Sequence, residues 1–518
     1  MKRELGYVIA SVISAWMLLA PAMARATPTY TVNSTLDQVD DNPGNGVCHT
    51  AAGKCTLRAA IMEANRTTSG SEEVSIGVPP GTYTLTLAPN GANGDDSGAL
   101  KLTAAGNSIT INISGAGTAN TIIDANHIDR VLVVTAGRQA KLSGVSLRNG
   151  DAHNSSDGGG VITAGSLALT DCVISHNTAQ NGGGIRSVGY LSLTRVTLSD
   201  NQAASVGGGI FSSGYLRVSA STLNANHAVS GAGMGINITT PDTGMVDATR
   251  FTNNVAAMSG GAIYIGNSML LTLDHSTLSG NQASTGGAVY VYPGATLDLR
   301  RSTISGNTAS AGGGVFNSAG TLYASNSTIS ENSATGDGGG IFNQGTGTLF
   351  NSTVVFNEAD ADVDEVGGGA GIYNQGSNAF NVRNSILAGN IIPGDGGYEE
   401  DCRGALNAYG NNRFSYTTGA FYSNCQPTQV GVGTPSNINS YAELGPLQNN
   451  GGPTLTYALV PPSNMIDGAE ASVGCIDQDG TLTTDQRDRL RSVDVICDIG
   501  AFEYDDLVFK DGFEHFEP

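Results

Sequence analysis

A short segment closing on asparagine recurs through the middle of the chain, and this repeat constrains the fold more than any other feature. The segments CVISHN, VTLSDN, STLNAN, TRFTNN, STLSGN, STISGN, STISEN, STVVFN and SILAGN end at Asn177, Asn201, Asn226, Asn254, Asn281, Asn307, Asn332, Asn357 and Asn390. Successive asparagines lie 24 to 28 residues apart, and the last interval lengthens to 33. Each of the first eight is followed by a glycine cluster and an aliphatic residue, from GGGI at 182 to GGGAGI at 367. A period of this size marks a stacked array, because one such unit is too small to bury its own apolar side chains.

Alignment on the asparagine exposes the columns. Three residues earlier stand Ile174, Leu198, Leu223, Phe251, Leu278, Ile304, Ile329, Val354 and Leu387, all apolar. Five residues earlier the column is small or β-branched, from Cys172 and Val196 to Ser385. Further back, pairs such as Leu167/Leu169, Leu191/Leu193, Leu271/Leu273 and Leu297/Leu299 alternate with polar residues, the period of a strand. Each repeat is therefore predicted to carry three short strands: one at the glycine cluster, one at Leu-x-Leu and one at Ser-Thr-Ile-Ser. Stacked coil on coil, about 25 residues each, these make an all-β fold, a right-handed parallel β-helix. A leucine-rich repeat has a similar period, but its L-x-x-L-x-L-x-x-N order is absent. Asparagine suits a left-handed corner, and its amide can bond the asparagines of adjacent coils. Strand-rich stretches at 74–87, 108–126 and 131–150 extend the solenoid upstream, so its expected span is 74–400. In TLRAAIMEANR, Leu57, Ile61 and Ala64 share one helical face, predicting a helical cap within residues 27–73. Residues 401–504 are expected to cover the other open end, followed by a tail at 505–518.

Residues 1–26 read as a signal peptide: Lys2 and Arg3, an apolar run to about Ala20, then Ala24-Arg25-Ala26. The chain is therefore expected to be exported. No later segment predicts a transmembrane helix. With 24 Lys+Arg against 45 Asp+Glu, net charge −21, nucleic acid is not an expected partner. Seven cysteines in an exported chain predict disulfides. Six pair by proximity, Cys48 with Cys55, Cys402 with Cys425 and Cys475 with Cys497; Cys172 is expected to be a buried free thiol.

Three segments resemble known families. CTLRAAI (55–61) resembles the CSLREA-type segment of bacterial secreted β-helix proteins, departing at Ala59 where that pattern has an acid. GGAI (260–263) with FTNN (251–254) resembles the repeats of polymorphic outer membrane proteins. NNGGPTLTYALVPPSNMIDGA (449–469), TDQRD (484–488) and CDIGAFEY (497–504) resemble the choice-of-anchor Q region. These resemblances imply an exported, surface-associated right-handed β-helix, adhesin-like in function.

Glycan cleavage on such a fold needs paired carboxylates, or metal-bound carboxylates with a base. No aspartate pair recurs in matched columns, Lys54, Lys101, Lys141 and Lys510 are the only lysines after the leader, and His176, His227 and His275 fall in different columns. No catalytic residue is assigned, and a glycan-cleaving enzyme is the alternative to a binding protein for a surface glycan or protein. No cofactor is expected apart from calcium, for which Asp360, Asp362 and Asp364 in the lengthened interval are the candidate ligands. Asp477, Asp479 and Asp485 form a second such run. The column Thr197, Thr222, Thr277, Thr303, Thr328 and Thr353, broken by Arg250, reads as strand propensity and cross-strand contact.

Overall fold

The computed structural model describes residues 27–67, 73–91, 94–104, 109–152, 156–237, 244–267, 269–376, 380–393, 397–414, 443–469, 475–491 and 496–504, and the backbone of 425–430. The leader and the tail lie outside these residues. One coil runs through Ile185–Ser187, Tyr190–Thr194, Thr197–Ser199 and the two-residue strand Gln202–Ala203. The next coil pairs with it in parallel and in register: Ile185 with Ile210, Leu191 with Leu216, Thr197 with Thr222 and Gln202 with His227. The fourth strand is absent from the three expected. It is too short to show a period, but its second residue is alanine in coil after coil, and Ala179, Ala203, Ala256, Ala283, Ala309, Ala334 and Ala359 are all buried. Parallel pairing also runs past the expected 74–400 span, from Thr29–Thr31 at one end to Cys425–Val430 at the other.

The apolar columns point inward. Ile174, Leu198, Leu278 and Ile304 have no exposed surface, nor do Leu191, Leu193, Leu297 and Leu299. The asparagines are also fully buried, in one continuous ladder. The Asn201 Nδ2 donates to Asn226 Oδ1 at 3.0 Å and to Ile174 O at 2.9 Å, and its backbone N–H reaches the same Oδ1 at 3.1 Å. Asn226, Asn254, Asn281, Asn307, Asn332 and Asn357 repeat this pattern, and Asn390 closes it on Asp401 Oδ1 at 2.8 Å. The left-handed residue is not the asparagine but the one before it, as at His176, Asp200, Ala225 and Glu331. The asparagine side chain must turn into the ladder, so the corner falls on its neighbour. A second corner precedes the small-residue column, at Arg195, His275, Arg301 and Asn326 among others. There the hydroxyls make a second ladder, with Ser276 N–H on Ser302 Oγ at 3.0 Å and Ser302 N–H on Ser327 Oγ at 3.2 Å. The glycine cluster is required twice over. Gly207 has φ +73°, and a Cβ on Gly209 would lie 2.5 Å from the Gly233 carbonyl of the next coil.

The cap helix is Leu57–Arg66, with Thr56 as N-cap accepting from the Ala59 N–H. More than one face is buried, because residues 37–46 and 94–99 wrap it. Arg58, fully enclosed, pairs with Asp37 at 2.6 and 3.1 Å and donates to Gly98 O. Glu63 accepts from the Gly44 and Gly46 N–H groups.

Of the region expected to cover the open end, Cys402–Tyr409 and Cys425–Val430 continue the stack at that end. The described residues of 443–504 instead lie along the flank of the solenoid, over the outer face of the threonine strands, where Thr303 and Thr328 become fully buried. Cys48–Cys55 and Cys475–Cys497 are disulfides, Cys402 is also disulfide-bonded, and Cys172 is free and buried. The side chain of Cys425 lies outside the described residues.

Asn307→Ala strips partners from the Asn281 amide, the Leu278 carbonyl and the Asn332 Oδ1. With about 1–3 kcal/mol for each buried group left unpaired, the expected loss is about 3 kcal/mol or more. Urea denaturation of the variant against the parent chain reads it directly.

Candidate functional site

Ionisable side chains concentrate where the flank meets the solenoid. Three threonines of one outward column each bond the flank: Thr303 donates to Leu455 O at 2.7 Å, Thr328 donates to Gln486 Oε1 at 2.7 Å, and Thr353 Oγ1 accepts from the Ala501 N–H at 3.1 Å. The Gln486 amide nitrogen is also within 2.9 Å of Thr303 Oγ1 and Thr454 Oγ1. Arg491, almost wholly buried, holds Glu503 at 2.8 Å, Asn326 Oδ1 at 2.6 Å and Gly500 O at 2.8 Å. Around these bonds Tyr457, Leu459, Met465, Ile499 and Phe502 pack with Val355 and Ile386 of the solenoid. TDQRD and CDIGAFEY, which the sequence singled out by resemblance, thus supply the groups that fasten the flank.

One histidine belongs to a cluster, contrary to the expectation that none does. His275 Nδ1 lies 3.4 Å from Asp247 and 3.5 Å from Asp274, and its Nε2 lies 3.0 Å from Asp488 of the flank. Arg301 bridges Asp274 at 2.5 Å and Asp488 at 2.8 Å. Ligand atoms of Asp247, Asp274 and His275 approach within 4.8 Å of one another, but they are already engaged with Arg301 and each other. His176 and His227 are exposed and stand apart.

The three candidate calcium ligands converge, with oxygens of Asp360, Asp362 and Asp364 within 4.8 Å. Asp360 is buried at a left-handed position and accepts the Asp364 N–H at 3.1 Å, so part of its capacity shapes the loop. The run Asp477, Asp479, Asp485 disperses: Asp477 caps its own turn, Asp479 pairs with Arg300 and buried Asp485 pairs with Arg487.

Two further surfaces escaped the sequence reading. Tyr264, Tyr290, Phe316, Phe342 and Tyr373 occupy the middle of successive glycine-side strands outside the coil; the first four stack with ring centroids 4.6 to 5.5 Å apart, and Tyr373 tilts against Phe342 at 5.2 Å. An aromatic flanked by two aliphatic or amide residues after each of the last five glycine clusters was the available signal. A groove of about 420 Å³ runs over the short strands, floored by Ala256, Ala283 and Ala309 and edged by Gln282, Thr308, Ser284, Ser310 and Thr335. None of its lining residues ionises.

The family model described as "Right handed beta helix region" matches residues 234–413. The molecule is a right-handed parallel β-helix. Among solved structures it is similar to the crystal structure of pectate lyase Pel9A, at 14% identity and TM-score 0.32, over 93% of this chain and 98% of that one. No curated protein matches.

Gln486→Leu leaves the Thr328 hydroxyl without its flank acceptor and takes one of two flank bonds from the Thr303 hydroxyl, which keeps Leu455 O, in a buried site. It is expected to weaken flank attachment by about 2–4 kcal/mol, read as faster limited proteolysis within 443–504. Asp498, buried beside Glu503, has its carboxyl pushed up to about 7, chiefly by desolvation. The folded state therefore holds this proton more tightly than the unfolded chain does. Its contribution is full below about pH 4 and is lost as pH rises through about 7. Asp498→Asn should flatten that part of the stability profile in thermal melts between pH 4 and 8.

Proposed function

We propose that this chain is an exported or surface-associated β-helix that binds a polymer or a partner surface without turning it over. The groove over the short strands carries the reading. It offers Gln282 and Ser284 on one coil, Thr308 and Ser310 on the next about 4.8 Å away and Thr335 on the one after, over a floor of alanine. Repeated weak contacts of this kind suit an extended chain such as a glycan, where avidity grows with the number of coils engaged. A hydrolase or lyase needs ionisable groups at the bond it breaks, and this groove supplies none. The segments resembling CSLREA-type and choice-of-anchor Q proteins, with the leader at 1–26, support placement on the outside of the cell. The repeats resembling polymorphic outer membrane proteins support an adhesin-like role. Calcium at Asp360, Asp362 and Asp364 belongs to the same proposal, as a bridge between the acidic surface and an anionic polymer.

Glycan cleavage is the second reading, favoured by the meeting of Asp247, Asp274 and His275 in one cluster with Arg301. The two readings separate in one experiment on residues 27–518, with a glycan array for binding and a panel of acidic polysaccharides, with and without calcium, for cleavage. The binding reading expects retention without release of products, and a loss of tenfold or more when Ala283→Phe fills the groove. Cleavage by the parent chain would overturn it in favour of an enzyme, and its loss on replacing His275 with Gln, or Asp360, Asp362 and Asp364 with Asn, would say which cluster carries it.

A further inference from the structure

Resting on the reading of the short-strand groove as a polymer site, we infer that its occupant is a linear glycan bearing free amino groups, seated with one amine at Glu358. The groove has two polar rims on either side of the buried alanines. One rim is a column in register from Val255 through Gln282, Thr308 and Ser333 to Glu358. Glu358 thus stands one coil beyond the coil of Thr335, the last to line the groove, a step of about 4.8 Å. It is half-buried in the outward register of Gln282 and Thr308, and its carboxylate bonds no other described residue. The other rim carries Ser284, Ser310 and Thr335 and then reaches Asp360, whose loop exposes Asp362, Asp364 and Glu365. In the opposite direction the first column passes from Val255 to His227, Gln202 and Thr178, and no carboxylate stands in it before Glu358. The groove is therefore uncharged along its length and anionic at one end.

This charge pattern selects among polymers. None of the lining residues is a cation, and Arg403, on the glycine-side face of the last coils, is held by Glu400 at 3.2 Å. A uronate or sulfate seated here would give up water with no cation in its place, and would meet like charge at the Glu358 end. An ammonium meets an unpaired carboxylate there instead. The remainder of an amino-sugar chain suits the groove as well. Its C–H faces can lie on the alanine floor, and its hydroxyls can exchange bonds with Gln282, Ser284, Thr308 and Ser310. A basic peptide would carry the same charge, but an extended peptide rises about 3.3–3.4 Å per residue and falls out of step with rim groups about 4.8 Å apart. A pyranose unit advances by close to the coil spacing and keeps step.

Calorimetric titration of the full chain with hexamers of glucosamine, N-acetylglucosamine and galacturonate tests this. It is run at about pH 6, where amine and carboxylate both carry charge, with a chelator to keep calcium from the Asp360 loop. The glucosamine hexamer should bind about fivefold or more tightly than the N-acetyl hexamer, the reach of one partly exposed ion pair, and the galacturonate hexamer should bind least. Glu358→Gln should bring the glucosamine hexamer down to the N-acetyl affinity, and Ala283→Phe should weaken both. Galacturonate binding as tight as glucosamine, or a glucosamine preference that survives Glu358→Gln, overturns the inference while Ala283→Phe still reports on the groove. A lysine hexapeptide that matches the glucosamine hexamer and is lost with Ala283→Phe overturns it in favour of a basic peptide. If no hexamer binds, or if Ala283→Phe changes none of them, the polymer groove itself is overturned and the inference with it.

Discussion

The buried asparagine ladder is the constraint on which the rest of the molecule depends. Each amide gives its protons to the next coil and to a carbonyl of the previous one, and its oxygen accepts from the coil before. A side chain that is costly to bury alone is thereby satisfied at every lone pair and proton. Because each asparagine completes its neighbours, the register of one coil dictates the register of the next. The inward columns of leucine and isoleucine then stack without slippage, and a one-residue slip would turn them to water. The corners follow from the same demand. Turning the asparagine inward forces a left-handed residue just before it, at a cost of about 1–2 kcal/mol for a residue other than glycine. No β-branched residue occupies that position in any coil from Asn177 to Asn390.

The flank depends on the solenoid in a different way. Its apolar cluster with Val355 and Ile386 supplies the net attraction, while Gln486, Arg491 and the three threonine hydroxyls decide where it sits. A buried pair such as Arg491 with Glu503 adds little net stability once its desolvation is counted, yet it strongly disfavours any other placement. The flank also removes from solvent a flat threonine row that would otherwise run along the outside of several coils.

The repeating part of this architecture was legible because a column is read many times over. Ile304 is placed inward by its eight counterparts as much as by its own neighbours. What the sequence left obscure is whatever does not repeat or is too short to show a period. The two-residue alanine strand is of this kind. The corner was displaced by one residue because asparagine is itself a common left-handed residue, and the ladder overrides that preference. The docking of Gln486 onto Thr328 joins positions 158 residues apart, and no spacing rule reaches that far. The acidic residues at 358–365 were visible as composition, but not that Asp360 folds inward to shape its own loop. The cluster at His275 needed the flank to be placed before Asp488 could be seen in it.

The amides of the ladder all point the same way, so the column has a donor end and an acceptor end. At the donor end stands Asp401, a carboxylate that only accepts; at the other, the Gly150 N–H meets Asn177 Oδ1 at 2.8 Å. Neither terminator touches the coils between Asn201 and Asn357. Duplication or deletion of a whole coil there would leave both ends closed and every amide paired. On the coils between Asn201 and Asn254, which lie outside the flank bonds of His275, Arg301 and the threonines, the ladder thus leaves the length of the rod free to change by unequal recombination, one coil at a time, while the chemistry of its two ends stays constant.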